Sequence, residues 1–186
     1  MDRDTETVLD EYLVMLAQGG SSDAFRRLAQ RWTPRLHRHA RRVLLDSDAA
    51  VDAVQDAWLA IARGLKALQD PGRFPAWAIA ITTRRCVDEI RRRQRQRLLA
   101  EAATGAREAG GQATAVDPDR TIDLAAALDW LAPDQRVLVS LFYGEGLSVE
   151  EIAHALHVPP GTVKSRLHAA RHSLKTLMEG PDDVAT

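Results

Sequence analysis

The sequence has a single cysteine, Cys86. That excludes an intrachain disulfide and a four-cysteine zinc site. No apolar run approaches the roughly 20 residues that cross a bilayer. The opening stretch, MDRDTETVLDEY, is acidic and has no apolar signal-peptide core. The chain therefore reads as cytoplasmic, with no membrane contact. A Gly-rich phosphate loop and a nucleophile elbow are both missing, and no catalytic constellation is visible. Convincing apolar–polar alternation is missing as well, so no β-strand is predicted. His154/His157 and His168/His172 form close pairs. Zinc would need both pairs to converge, so no metal and no cofactor are expected.

What is present is helical periodicity and segregated charge. A chain of 186 residues, 45% hydrophobic and 27% charged, suits one large or two small soluble domains. The net charge of −1 conceals an uneven distribution. Arg26 to Arg42 holds seven arginines and no acid, and Arg84 to Arg97 holds seven against Asp88 and Glu89. Acids gather instead at Asp46, Asp48, Asp52 and Asp56. Separate basic and acidic faces suit a protein with two kinds of partner. The Arg26 to Arg42 run fits either nucleic-acid contact or a solvated helix.

Asp23 is placed to cap a helix carrying Phe25, Leu28, Trp32 and Leu36. A second helix is predicted from about Ala49 to Leu65, with Val51, Val54, Trp58 and Ile61 on one stripe. The turn-rich stretch QDPGRFP ends it. A third helix begins near Ala76 and uses Trp77, Ile81, Val87 and Ile90. Cys86 falls among its apolar neighbours and reads as a small buried residue rather than a redox sensor. After about Gln96 the composition turns to Ala, Gly and Glu. Residues 104–120 read as a flexible linker. A second domain starts near Thr121 with a helix holding Leu124, Leu128 and Leu131. Pro133 suits the first turn of the next helix, which carries Val137, Leu138 and Leu141 and ends at YGEG.

The most informative stretch is LSVEEIAHALHVPPGTVKSRLHAARHSLK. Ser148 and Glu151 form a capping box. The helix they start buries Ile152, Ala153 and Leu156, and stops at His157-Val158-Pro159-Pro160; such a turn often uses Gly, and a positive φ at His157 would be tolerable but somewhat strained. A second helix starts around Gly161 and turns Val163, Leu167, Ala170, Leu174 and Leu177 inward. Together they make a helix-turn-helix. Its outward face shows Thr162, Lys164 and Ser165, then His168 and Arg171. Lys can donate to guanine O6 and N7, and Ser can reach several base edges. The amides of Gly161 and Thr162 favour a phosphate. Arg166 and Lys175 suit backbone contacts that position without specifying.

LAPDQRVLVSLFYGEGLSVEEIAHALHVPPGTVKSRLHAARHSL resembles the C-terminal domain of extracytoplasmic-function (ECF) sigma factors, the small bacterial initiation factors of the sigma-70 family. DAFRRLAQRW, VDAVQDAWLAI and FPAWAIAITTRRCVDEIRRR resemble successive segments of that family's N-terminal domain. The resemblance implies an all-α protein of two small helical domains. Residues 1–97 would form region 2, 98–120 a linker, 121–179 region 4 with the helix-turn-helix, and 180–186 a tail. It implies a factor that is not an enzyme. Such a factor binds core RNA polymerase through its β and β′ subunits and reads promoter DNA, and many members are held by an anti-sigma factor.

The resemblance also implies site residues. Asp52, Gln55 and Asp56, beside Trp58, would meet the polymerase clamp; Val51 stands where the family usually has an acid. The loop from Asp70 to Pro75, with Arg73 and Phe74, would receive an unstacked −10 base. Phe74 suits either stacking on a base or plugging the core. Trp77 would anchor the following helix, whose Arg84, Arg85, Arg91 and Arg92, with Arg93, would meet −10 DNA. Gly161, Thr162, Lys164, Ser165, Arg166, His168 and Arg171 would meet the −35 element. Two other classes fit the bare residues less well: a stand-alone helix-turn-helix regulator and a nucleic-acid-processing enzyme.

Overall fold

The computed structural model describes residues 3–104, 128 and 130–179. Every regular element among them is helical. In chain order these are α1 (Arg3–Gln18), α2 (Ser22–Leu44), α3 (Ser47–Gly64), two short 3-10 turns (Leu65–Ala67 and Pro71–Arg73) and α4 (Phe74–Thr104). The C-terminal half supplies α5 (Pro133–Val139), a π turn (Ser140–Gly144), α6 (Val149–Leu156) and α7 (Pro160–Glu179).

α2 starts at Ser21, whose hydroxyl accepts the Ala24 amide at 3.2 Å. Asp23, expected as the cap, lies inside the first turn and pairs with Arg26 instead. The buried stripe Ala24, Leu28, Trp32, Leu36, Ala40 and Val43 advances at four- and three-residue steps, as a helix with one inward face requires. α3 is capped by Asp46, whose carboxylate accepts the Asp48 and Ala49 amides, each at 3.0 Å. Its inward face is mostly alanine, from Ala49 to Ala57, which lets α2 and α4 approach closely. On α4 the buried hydroxyls of Thr82 and Thr83 donate to the carbonyls one turn back, at 3.0 and 2.8 Å. α4 continues past residue 97 to Thr104.

α1 had no counterpart among the helices expected from the sequence. It buries Leu13 and Val14 against α2. Asp10 accepts hydrogen bonds from Arg31 Nε at 2.8 Å and Trp32 Nε1 at 2.9 Å. The Gln18 amide donates to the Leu65 and Leu68 carbonyls at 2.9 and 2.7 Å. These bonds fix the turn that leads into the Asp70 loop.

In the C-terminal half Pro133 occupies the first turn of α5, as expected. Leu128 and Leu131 are buried, while Leu124, Leu177 and the stretch 105–127 lie outside what can be described at side-chain level. One apolar cluster runs through both halves. Val137, Leu138, Leu141, Leu147, Ile152, Val163 and Leu167 join Leu28, Leu36, Val43, Ile61 and Ile79. α6 packs on α4, and α5 with its π turn packs on α2. The buried Arg136 of α5 donates from Nε to the Val43 carbonyl at 2.8 Å. That carbonyl belongs to the last turn of α2, where helical partners run out.

Candidate nucleic-acid interface

The helix-turn-helix is built as its sequence suggests. Ser148 accepts the Glu151 amide at 3.2 Å, and Glu151 takes the Ser148 amide at 2.8 Å. α6 ends at His157, which adopts the left-handed conformation with φ 54°. The Val158 amide then reaches back to the Ala153 carbonyl at 3.0 Å, closing the turn. On α7, Val163, Leu167 and Ala170 are buried, and Leu174 packs against a second small cluster with Leu128, Leu131 and Val139.

The opposite side of α7 exposes Lys164, Ser165, Arg166 and His168. Residues 164, 165, 168 and 171 share one face at helical spacing, whereas Arg166 points well away from it. Ser165 Oγ donates to the Thr162 carbonyl at 3.1 Å, so its oxygen remains an acceptor for a base edge. Two expected contacts change. The Thr162 amide donates to the Pro159 carbonyl at 2.9 Å, so it does not offer a free donor to phosphate. Arg171 donates from Nε to the Tyr143 hydroxyl at 2.7 Å and lies over the Phe142 and Tyr143 rings. It braces α7 against the π turn.

The Asp70 loop is a short 3-10 turn, Pro71–Arg73. Asp70 accepts the Gly72 amide at 2.9 Å. Arg73 is exposed. Phe74 is 0% exposed and meets Trp32 edge-on at 5.4 Å between centroids, with Trp77 tilted at 6.2 Å. Of the two uses open to it, the structure shows the core plug. Trp77 is half-buried, and its indole lies where a side chain on Gly64 would stand, 3.1 Å from such a Cβ.

Along α4 the arginines are not equivalent. Arg84 is half-buried; burial, then Arg85, pulls its pKa down. Arg85 pairs with Asp88 at 3.7 Å. Glu89 holds Arg92 with two bonds, at 2.7 and 2.9 Å, and Arg93 at 2.6 Å. Arg93 also reaches Asp46 at 2.9 Å. The Arg92 contact is the largest of the causes that keep the Glu89 carboxyl below its usual range. Arg91 is exposed and has no ion pair among those described.

Asp52, Gln55 and Asp56 stand exposed on one face of α3. Leu59, one turn further on and 56% exposed, and Val51, 41% exposed, complete a mixed acidic and apolar surface. Leu59 was missed from sequence because an apolar residue in an amphipathic helix reads as core. Trp58 turns the other way: its indole N–H donates to Thr33 Oγ1 at 3.0 Å, and its ring meets Phe25 edge-on. It braces α2 against α3. No three His, Cys, Asp or Glu side chains gather as a metal set among the described residues.

Cys86 is fully buried, and burial is the main cause that pushes its thiol up to about 12. The folded state therefore holds the thiol proton more tightly than the unfolded chain. The stability this confers is complete below about pH 8.5 and is lost as pH rises toward 12. A thiol reagent at pH 8 is expected to leave native protein unlabelled and to label it fully in denaturant; labelling of the native form within minutes would contradict the burial.

Two family models match the chain: Sigma-70 region 2 over residues 28–96, and Sigma-70 region 4 over residues 121–174. The chain belongs to the sigma-70 family. Among its relatives is the ECF RNA polymerase sigma factor SigE of Mycolicibacterium smegmatis, 36% identical over 80% of this chain and 59% of the relative. Another is the ECF sigma factor SigM of Mycobacterium tuberculosis, 32% identical over 91% of this chain and 84% of that one. Among solved structures, the sigma factor RpoE of Bartonella quintana, in complex with the anti-sigma factor NepR, is 25% identical. It superposes with a TM-score of 0.63 over 84% of this chain and 98% of that one. The chain is thus an ECF-type RNA polymerase sigma factor, a protein that directs transcription initiation, and the stand-alone regulator is not favoured. No described helix of this sigma factor is long and apolar enough to cross a membrane.

Proposed function

We propose a division of labour within this sigma factor. α7 reads the −35 element through Lys164, Ser165 and His168. The Asp70 loop and the exposed arginines of α4 engage the −10 region. The Asp52, Gln55, Asp56 and Leu59 face of α3 docks on core polymerase. The single observation that carries this reading is the exposed Lys164–Ser165–His168 face on a helix whose other side is pinned by buried Val163, Leu167 and Ala170. A rigid helix with a free polar face is what major-groove readout requires. The polymerase performs the nucleotide chemistry, so the chain acts as a binding and positioning subunit rather than an enzyme. It works in the cytoplasm, where polymerase and promoter are. An anti-sigma factor is a further partner, supported by the likeness to a sigma factor solved with one.

The test compares two substitutions on a promoter selected with the holoenzyme. Lys164→Ala is expected to cost about 1–3 kcal/mol at one −35 position and to relax the preference there. Arg91→Ala is expected to weaken binding alike on every sequence and to reduce the salt slope by about one. Arg91 is a better probe than Arg92, which Glu89 already occupies. Equal effects of both substitutions on every promoter would overturn the division.

A further inference from the structure

The region 2 family model begins at residue 28, so α1, Arg3–Gln18, lies before the matched stretch. The helix packs on α2 and on both 3-10 turns, Leu65–Ala67 and Pro71–Arg73. It holds the segment 65–74 at three points.

At the entry, the Gln18 side-chain amide donates to the Leu65 carbonyl at 2.9 Å and to the Leu68 carbonyl at 2.7 Å. An amide nitrogen has two hydrogens, so both bonds are met at once. Leu65 directly follows α3, and its carbonyl sits at that helix's C-terminus, where partial negative charge gathers. Leu68 is extended, with φ −72° and ψ 106°, and leads through Gln69 into Asp70. In the middle, the half-buried Glu11 lies against Gly72: a Cβ there would stand 3.1 Å from Glu11 Oε1. At the exit, Asp10 accepts from Trp32 Nε1 at 2.9 Å, and Trp32 meets Phe74, the first residue of α4, edge-on at 5.4 Å. Glu11, Val14 and Gln18 fall at i, i+3 and i+7 on one face of α1. Val14 is buried and anchors that face in the core.

The loop's own bonds are local. Asp70 accepts the Gly72 amide through its side chain at 2.9 Å and the Arg73 amide through its carbonyl at 3.0 Å. None of Pro71, Gly72 and Arg73 is buried. Such bonds set the shape of the turn and leave its placement to its neighbours. Among the described residues Gln18 is the one side chain that hydrogen-bonds the backbone between Leu65 and Gln69. A site that reads a base must hold its groups within about 0.5 Å, which depends on the residues behind it.

We propose that Gln18 is a positioning residue for −10 recognition: it sets the Asp70 loop against the start of α4, so that promoter preference at −10 depends on a side chain of α1. The clamp stands on the contacts above. Its consequence for DNA rests on the −10 role proposed for the loop.

Three variants of the full chain test it. Gln18→Glu keeps the size of the side chain and replaces the donor with an anion, set against two carbonyls and a helix C-terminus. Gln18→Lys restores donors and suits that terminus. Asp70→Ala loosens the loop directly. Hydrogen exchange of the Leu68, Gly72 and Arg73 amides reads the clamp. Reconstituted holoenzyme, selecting from promoters randomised at −10 and −35, reads its consequence. Gln18→Glu is expected to speed the exchange and to flatten the −10 preference about tenfold, with the −35 preference held within about twofold. Gln18→Lys should recover most of both. A merely structural role would depress opening at every promoter alike and leave the −10 preference as it was. Helical content by circular dichroism establishes that each variant is folded. Unchanged exchange in Gln18→Glu overturns the clamp. Faster exchange with an unchanged −10 preference, where Asp70→Ala does flatten it, overturns the positioning role. If Asp70→Ala also leaves the −10 preference intact, the loop loses its −10 assignment and Gln18 loses its role with it.

Discussion

Phe74→Ala is expected to cost the protein about 3–5 kcal/mol, the usual range for removing a buried ring. Against a total stability of about 5–15 kcal/mol, that leaves a sizeable fraction unfolded. The ring is wholly enclosed at the junction of the loop and α4, edge-on to Trp32 and tilted against Trp77. Neither neighbour can move into the space readily. Trp32 is held by its bond to Asp10, and Trp77 lies against Gly64. Urea unfolding measures the loss. Phe74→Leu separates packing from base contact, because it keeps most of the volume and none of the aromatic face. It should retain most of the stability and nearly all of the promoter opening. A loss below about 1 kcal/mol for the alanine variant, or a stable leucine variant that fails to open promoters, would return the ring to the DNA.

Asp52→Arg combined with Asp56→Arg is expected to abolish co-elution with core RNA polymerase, weakening binding at least about 100-fold. Like charges set against each other across an interface cost several kcal/mol, and the loss of favourable pairs adds to it. Both residues are exposed, so the fold should scarcely notice, with stability changing by about 0.5 kcal/mol or less. That contrast makes the result interpretable: a folded protein that no longer binds has lost a surface. Leu59→Ala on the same face should give a smaller loss, without the salt dependence of the charged pair. Undiminished co-elution of the reversed variant would remove α3 from the polymerase contact.

Much of the architecture was legible because it is written in side-chain spacing. α2, α3 and the helix-turn-helix each carry an inward stripe that no other element explains, and Ser148 with Glu151 marks the start of α6 unambiguously. α1 was not legible. Its first turns are acidic, and the exposed Val8, Tyr12 and Met15 blur the stripe made by Leu9, Leu13 and Val14. The cap of α2 is Ser21 rather than Asp23 because the helix starts two residues earlier than expected, and serine caps as well as aspartate.

The candidate site divided along the same line. The exposure of Lys164, Ser165 and His168 was legible since they oppose an obvious core face. Arg171 and Trp58 were not, because their partners, Tyr143 and Thr33, lie 28 and 25 residues away in sequence. Glu145 was hidden more completely. An acid between two glycines looks like a solvated turn, and its three partners on α2 are more than a hundred residues earlier.

The continuity of the apolar cluster has a consequence for how this protein tolerates change. Leu138 and Ile152 sit in the half that carries the helix-turn-helix, yet they share their burial with Leu36 and Ile79 in the other half. Among the described residues the C-terminal half keeps only the small cluster of Leu128, Leu131, Val139 and Ala170 to itself. Packing damage in one half is inherited by the other, and a loss of function can originate in a leucine buried far from any binding surface. Genetic screens on such a chain will map its interior as readily as its exposed faces.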